Sequence, residues 1–151
     1  MKVIAIDPGY SALGYAVGEK PNKLVEYGTL YFREKDRLRE IYNKVCELFR
    51  RHNPHVALIE DYRIYEENRG KHKPAFALGV IVAVCYEFEC NIRLVFHNSW
   101  KAEFERVYFT VAGRLSEEWH KALQGGSEHS RDAVMMLLPQ VVDLKAILTR
   151  R

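Results

Sequence analysis

The sequence predicts an α/β fold, a five-stranded mixed sheet flanked by helices, and three observations carry that expectation. Short apolar runs bounded by turn residues open the chain. The hydrophobic period then lengthens to that of a helix. Two further apolar runs each follow a helical stretch.

The opening runs KVIAID, ALGYAVG and KLVEYGTLYF are separated by Pro8-Gly9 and by Lys20-Pro21-Asn22. Three strands so close together suggest an antiparallel meander. Over residues 34–52, Leu38, Ile41, Tyr42, Val45, Leu48 and Phe49 recur at the spacing of one helical face, and Asn53-Pro54 ends the helix. VALIE (56–60) is thus reached through a helix, the connection that makes a strand parallel to an earlier one. Residues 74–88 are apolar on nearly all sides, so this helix must be buried twice. IRLVF (92–96) is a fifth strand, followed by helical pieces broken at Gly125-Gly126, with Pro139 expected to end or kink the last.

A chain of 151 residues suits one domain, 1–151. Its 48% apolar and 28% charged residues match a folded soluble protein and exclude a disordered one. The longest apolar run falls short of the roughly 20 residues that span a bilayer. MKVIAID lacks a secretory cleavage pattern, so a cytoplasmic protein without a membrane partner is expected. Cys46, Cys85 and Cys90 lack CxxC spacing and read as reduced thiols. The net charge of +3 permits nucleic-acid binding without requiring it. The stretch 63–73, with Arg63, Tyr65, Arg69, Lys71 and Lys73, concentrates that charge in what is otherwise a solvated loop.

Strand alternation sorts the acidic residues. Val3, Ala5 and Asp7 share one face; Val56, Leu58 and Glu60 share another; Asp61 turns away. If the two strands are parallel neighbours, Asp7 and Glu60 meet at the sheet edge where α/β active sites collect. His129 and Asp132, three apart, lie on one helix face. Asp7, Glu60, His129 and Asp132 together form an oxygen-rich set suited to magnesium or manganese. Each residue alone is more often a turn, cap or surface group; their order sets them apart.

IAIDPGYSALGYAV resembles the first motif of the RuvC-type Holliday junction resolvases, a branch of the ribonuclease H-like superfamily. ALIED is similar to the second motif, EHSRDAVMM to the terminal helix motif, and NSWK to a lysine that follows the fifth strand. The resemblance runs from residue 1 to about 138 in the right order. It implies a ribonuclease H-like fold and a metal-dependent endonuclease for four-way DNA junctions. Asp7, Glu60 and Asp132 would bind two magnesium ions, for which manganese may stand in, while His129, where many members carry aspartate, would ligate metal or orient water. Paired metals imply in-line displacement with 5′-phosphate and 3′-hydroxyl products.

The resemblance also implies a homodimer through the helix 74–88, which a charge at Ile81 or Val84 is expected to split. Arg63, Arg69, Lys71, Lys73, Lys101 and Arg114 would contact phosphates, and Tyr65 would stack on an unpaired base. Two rival readings keep the fold: a ribonuclease H-like enzyme acting on RNA or RNA/DNA hybrids, and a non-catalytic nucleic-acid-binding module.

Overall fold

The computed structural model describes residues 1–61 and 72–149. Three strands, β1 (Lys2–Asp7), β2 (Ala12–Glu19) and β3 (Lys23–Tyr31), form the expected antiparallel meander. Helix α1 (Arg37–His52) then returns the chain to β4 (Val56–Glu60), parallel to β1; α2 (His72–Glu87) leads to β5 (Asn91–Val95), parallel to β4. The sheet order is β3-β2-β1-β4-β5. Four helices follow: α3 (His97–Val111), α4 (Glu117–Gln124), α5 (Glu128–Val141) and α6 (Leu144–Thr149).

Alternation along the strands divides the core in two. Val3, Ala5, Ala16, Val56 and Leu58 face a cluster that includes Trp100, Phe104, Trp119 and Leu137 of α3, α4 and α5. Ile4, Ile6, Val17, Ala57 and Ile59 face Ile41, Val45 and Phe49 of α1 and Ala77, Ile81 and Val84 of α2. Helices therefore cover both sides of the sheet, and Asp7 and Glu60 continue the face shared with α5.

Small residues let α5 approach that face closely. Gly14, Ala16 and Gly18 alternate along β2, and a Cβ at Gly14 would overlap the His129 carbonyl. At Gly18 it would lie 3.0 Å from methyls of both Leu137 and Val141. The start of α5 is pinned as well. The Ser127 hydroxyl accepts from Ser130 N–H, capping the helix, and hydrogen-bonds the Thr29 hydroxyl of β3. The preceding Gly126 has φ 75°, which glycine adopts without strain.

Three features differ from expectation or complete it. Pro139 lies inside α5, which runs on to Val141, and Val142 N–H closes the final turn on the Leu138 carbonyl. Helix α2 buries one face only: Ala77, Ile81, Val84 and Cys85 enter the core, while Phe76, Gly79, Ala83 and Tyr86 form an exposed stripe. Ile81 and Val84 are wholly buried, so a charge at either would disrupt this chain's own core rather than an interface. Cys46, Cys85 and Cys90 are free and buried. Among the described residues no helix is long and apolar enough to cross a membrane.

Gly14→Ala is expected to lower stability by about 1–3 kcal/mol, because backbone and not a flexible side chain obstructs the new methyl. Gly79→Ala, mid-helix with nothing within 4 Å of the added carbon, should instead raise stability by up to about 1 kcal/mol. Urea unfolding of the two variants measures both signs.

Candidate active site

Strand pairing brings the first two carboxylates together. β1 and β4 run parallel in register from Val3 opposite Val56 to Ile6 opposite Ile59, so Asp7 and Glu60 occupy the next step at the carboxyl ends of both strands. Each is at least nine-tenths buried. Asp132 arrives from the second turn of α5, and one oxygen from each of Asp7, Glu60 and Asp132 lies within 4.8 Å of the others. Two strands and a helix hold the three groups, so their spacing is set by the fold.

Burial and mutual repulsion both disfavour charge on this cluster. Burial pushes the Asp7 carboxyl up to about 6, against the opposing hydrogen bond from His129, while the charges of Glu60 and Asp132 add to the rise. Glu60 is raised by burial and partly restored by His97; Asp132 is raised by burial and by Glu128. Glu60 Oε2 and Trp100 Nε1 are both fully buried without a well-formed hydrogen bond among the described residues, although the indole lies close enough to Glu60 to lower its proton affinity in part. Three carboxylates that converge at buried positions, one with an oxygen lacking a well-formed hydrogen bond, fit a hard divalent cation, which would relieve their repulsion.

Each strand carboxylate also has an imidazole. His129 Nδ1 lies 2.8 Å from Asp7 Oδ2, and His97 Nδ1 lies 3.2 Å from Glu60 Oε1. His129 therefore reaches the cluster through Asp7 and is not among its three convergent donors. His97 went unnoticed in the sequence. Its signal was positional: it opens α3 just beyond β5, whose last residue is paired with Glu60. Asp61, directly after β4, is half-buried and outside the cluster; its N–H donates to the Val95 carbonyl.

The other sequence candidates are dispersed. Lys101, exposed on α3, is close enough to Asp132 to favour its charged form. Lys73 lies exposed in the first turn of α2. Arg114 donates through Nη1 to the Ile147 carbonyl at 2.7 Å, tying α6 to the end of α3. Arg63, Tyr65, Arg69 and Lys71 lie outside the described residues.

This architecture superimposes on a solved Thermus thermophilus RuvC in complex with a Holliday junction substrate. The TM-score is 0.74 over 99% of this chain and 97% of that one, at 22% identity. The chain shares that fold. The fold it shares is the ribonuclease H-like one, and the fowlpox virus resolvase, solved with its Holliday junction DNA, has it too: TM-score 0.57, 14% identity, covering 99% of this chain and 100% of that one. In sequence, the chain is 27% identical over 100 residues to a crossover junction endodeoxyribonuclease RuvC from Caldicellulosiruptor saccharolyticus, covering 61% of this chain and 60% of that protein. The chain thus spans about half to three-fifths of the length of the curated relatives it matches. No protein-family model matches it.

The cluster makes metal-free stability depend on pH. Asp7 titrates near 6 when folded and near 3.9 when unfolded, so between those values the folded state binds more protons. Its contribution is most favourable below about 4 and is lost as pH rises through 6. In chelator, Asp7→Asn should therefore raise stability at pH 7.5 relative to the unmutated chain, by on the order of 1–3 kcal/mol. That gain should shrink at pH 5, and thermal melts at the two values report it. A variant less stable than the parent at both would contradict the repulsion.

Proposed function

We propose that the chain is a single-domain, magnesium-dependent endonuclease that resolves four-way DNA junctions by paired phosphodiester hydrolysis. The observation that carries this reading is the convergence of Asp7, Glu60 and Asp132, with one Glu60 oxygen lacking a well-formed hydrogen bond, at the strand ends of the fold. The likeness to a RuvC solved with a Holliday junction substrate supports the choice of substrate.

Asp7, Glu60 and Asp132 would hold the metal. A bound pair of magnesium ions would supply Lewis acidity at the scissile phosphate and at the attacking and leaving oxygens. His129 donates Nδ1–H to Asp7, an arrangement that fixes the ring and leaves Nε2 as the acceptor for a proton from water. His97 steadies Glu60 in the same way. Lys101, beside Asp132, and Lys73, at the start of α2, would contact phosphates together with Arg63, Arg69 and Lys71, and Tyr65 would stack on an opened base. Arg114 reaches DNA in this reading only by giving up its bond to Ile147.

Paired cutting calls for two linked sites. The stripe of Phe76, Gly79, Ala83 and Tyr86, with Phe76 55% and Tyr86 73% exposed, is the surface we assign to a second copy of the chain. Aromatic rings so open to water on one helix face favour association.

Incubation with synthetic four-way junctions, linear duplex, forks and RNA/DNA hybrids, with and without magnesium, tests the assignment. Symmetrically paired nicks confined to junctions with magnesium are expected; preferential hydrolysis of the hybrid would replace this reading with a ribonuclease. Asp7→Asn, Glu60→Gln and Asp132→Asn should each lose more than about 100-fold in rate, and His97→Ala about 10- to 100-fold. Asp61→Asn should stay within a few-fold of the parent. Ala83→Glu should yield a folded monomer by light scattering that nicks junctions on one side or binds them weakly. A monomeric parent at micromolar concentration would refute the dimer.

A further inference from the structure

At the end of the sheet that carries the carboxylates lies a cleft of which the reaction scheme uses only Lys73. It is lined by Tyr10 and Ser11 from the β1–β2 turn, Arg33, Lys35 and Arg37 from the β3–α1 connection, and Lys73 from the start of α2, and encloses about 580 Å³. Four cations meet there against one acid, Glu34. Among the described residues none of the four is ion-paired.

The cleft is organised around one ring. The Arg37 guanidinium lies 5.0 Å from the centroid of Tyr10 and the Lys73 ammonium 5.4 Å from it, so two like charges are held by the same aromatic ring. Arg37 also donates to the Ser11 hydroxyl at 3.0 Å. The connection itself is rigid: the buried Glu40 carboxylate accepts from the backbone N–H groups of Arg33 and Glu34, at 2.7 and 2.9 Å. Charges that repel one another, fixed by a ring and a buried carboxylate, are arranged for an anion.

Topology places that anion at the same end of the sheet as the carboxylates. β3 ends at the same sheet edge as β1, two strands away, because β1, β2 and β3 alternate in direction. Two strand spacings are about 10 Å, a span that a nucleic-acid backbone covers in a few nucleotides. Tyr10 follows Asp7 by three residues, so the cleft opens directly off the strand that carries the first carboxylate.

We propose that this cleft is a second phosphate-binding seat, in which Arg33, Lys35, Arg37 and Lys73 grip the DNA backbone a few nucleotides from the cut, with Tyr10 as the positioning residue that braces Arg37 and Lys73. The proposal rests on the reading of the chain as a DNA nuclease. It adds phosphate ligands that the basic stretch 63–73 does not contain, apart from Lys73.

Equilibrium binding of a fluorescent four-way junction in chelator, where no cutting occurs, tests the seat across a series of salt concentrations. Arg33→Gln/Arg37→Gln/Lys73→Gln should weaken binding about tenfold or more near physiological salt. The slope of log affinity against log salt should fall by about 0.9 for each duplex phosphate that the variant no longer neutralises. Lys121→Gln/Lys145→Gln removes two exposed charges elsewhere and should leave affinity and slope nearly unchanged. Tyr10→Phe should match the parent, whereas Tyr10→Leu should show a shallower slope. Thermal melts confirm that each variant folds. Parent-like affinity and slope in the triple variant, from a chain that binds and cuts junctions, would overturn the seat alone. A parent chain that neither binds nor cuts DNA would overturn the nuclease reading beneath it.

Discussion

The site depends on how closely one helix lies on one strand. Asp132 and His129 belong to α5, and they reach Asp7 and Glu60 because β2 presents Gly14, Ala16 and Gly18 to that helix in place of larger side chains. At Gly14 backbone meets backbone, and rotamer changes cannot relieve such crowding. Ser127, Thr29 and Gly126 fix where the helix starts, so its register along the strand is set as well as its distance. A shift of one residue would rotate Asp132 by about 100° out of the cluster. The geometry of the site is thus a consequence of backbone packing, since the strand residue that admits the helix, Gly14, lies opposite Asp7 and against the His129 carbonyl and has no side chain of its own.

Against that packing works the repulsion it creates. Three carboxylates with raised proton affinity, two of them on buried strand ends, oppose the hydrophobic clusters on either side of the sheet. The two imidazoles relieve it in part, one for each strand carboxylate. Among the described residues, Glu60 Oε2 gets no well-formed hydrogen bond beyond the help of the nearby Trp100 indole, so compensation there is incomplete. In the proposed reading, function and stability conflict at this point, and a bound cation would serve both.

Much of this was legible in the sequence, for physical reasons that also mark the limits. Alternation with a period of two assigns Asp7 and Glu60 to one face from local pattern alone, and a crossover through a helix makes their strands parallel. The same local logic fails for α2. A helix rich in apolar residues all round shows that something must cover it, but only its packing against α1 reveals that Ile81 and Val84 point inward while Phe76 and Tyr86 point out. Pro139 reads as a helix end or kink because the missing N–H bond is local, whereas the burial of Leu137, Leu138 and Val141, which accompanies the helix past it, is not. His97 escaped notice because its partner, Glu60, lies 37 residues away. Arg37 and Tyr10, far apart along the chain, escaped for the same reason.

The arrangement of charge follows from what each ligand needs. A metal calls for negative groups with little competition from water, and the carboxylates are accordingly sunk at the strand ends. A polyanion calls for cations that water can also reach, since binding proceeds by releasing the counterions that surround it. Arg33, Lys35 and Lys73 are accordingly exposed, and Arg37 only half-buried. The two sets share one sheet edge without cancelling. Exposed cations on the rim are screened by salt, with a length of roughly 8 Å under physiological conditions, so they do little to neutralise anions buried at the strand ends. An edge built this way can hold a cation and a polyanion at once, and the distance between its two charge sets must be short enough for a single strand to engage both.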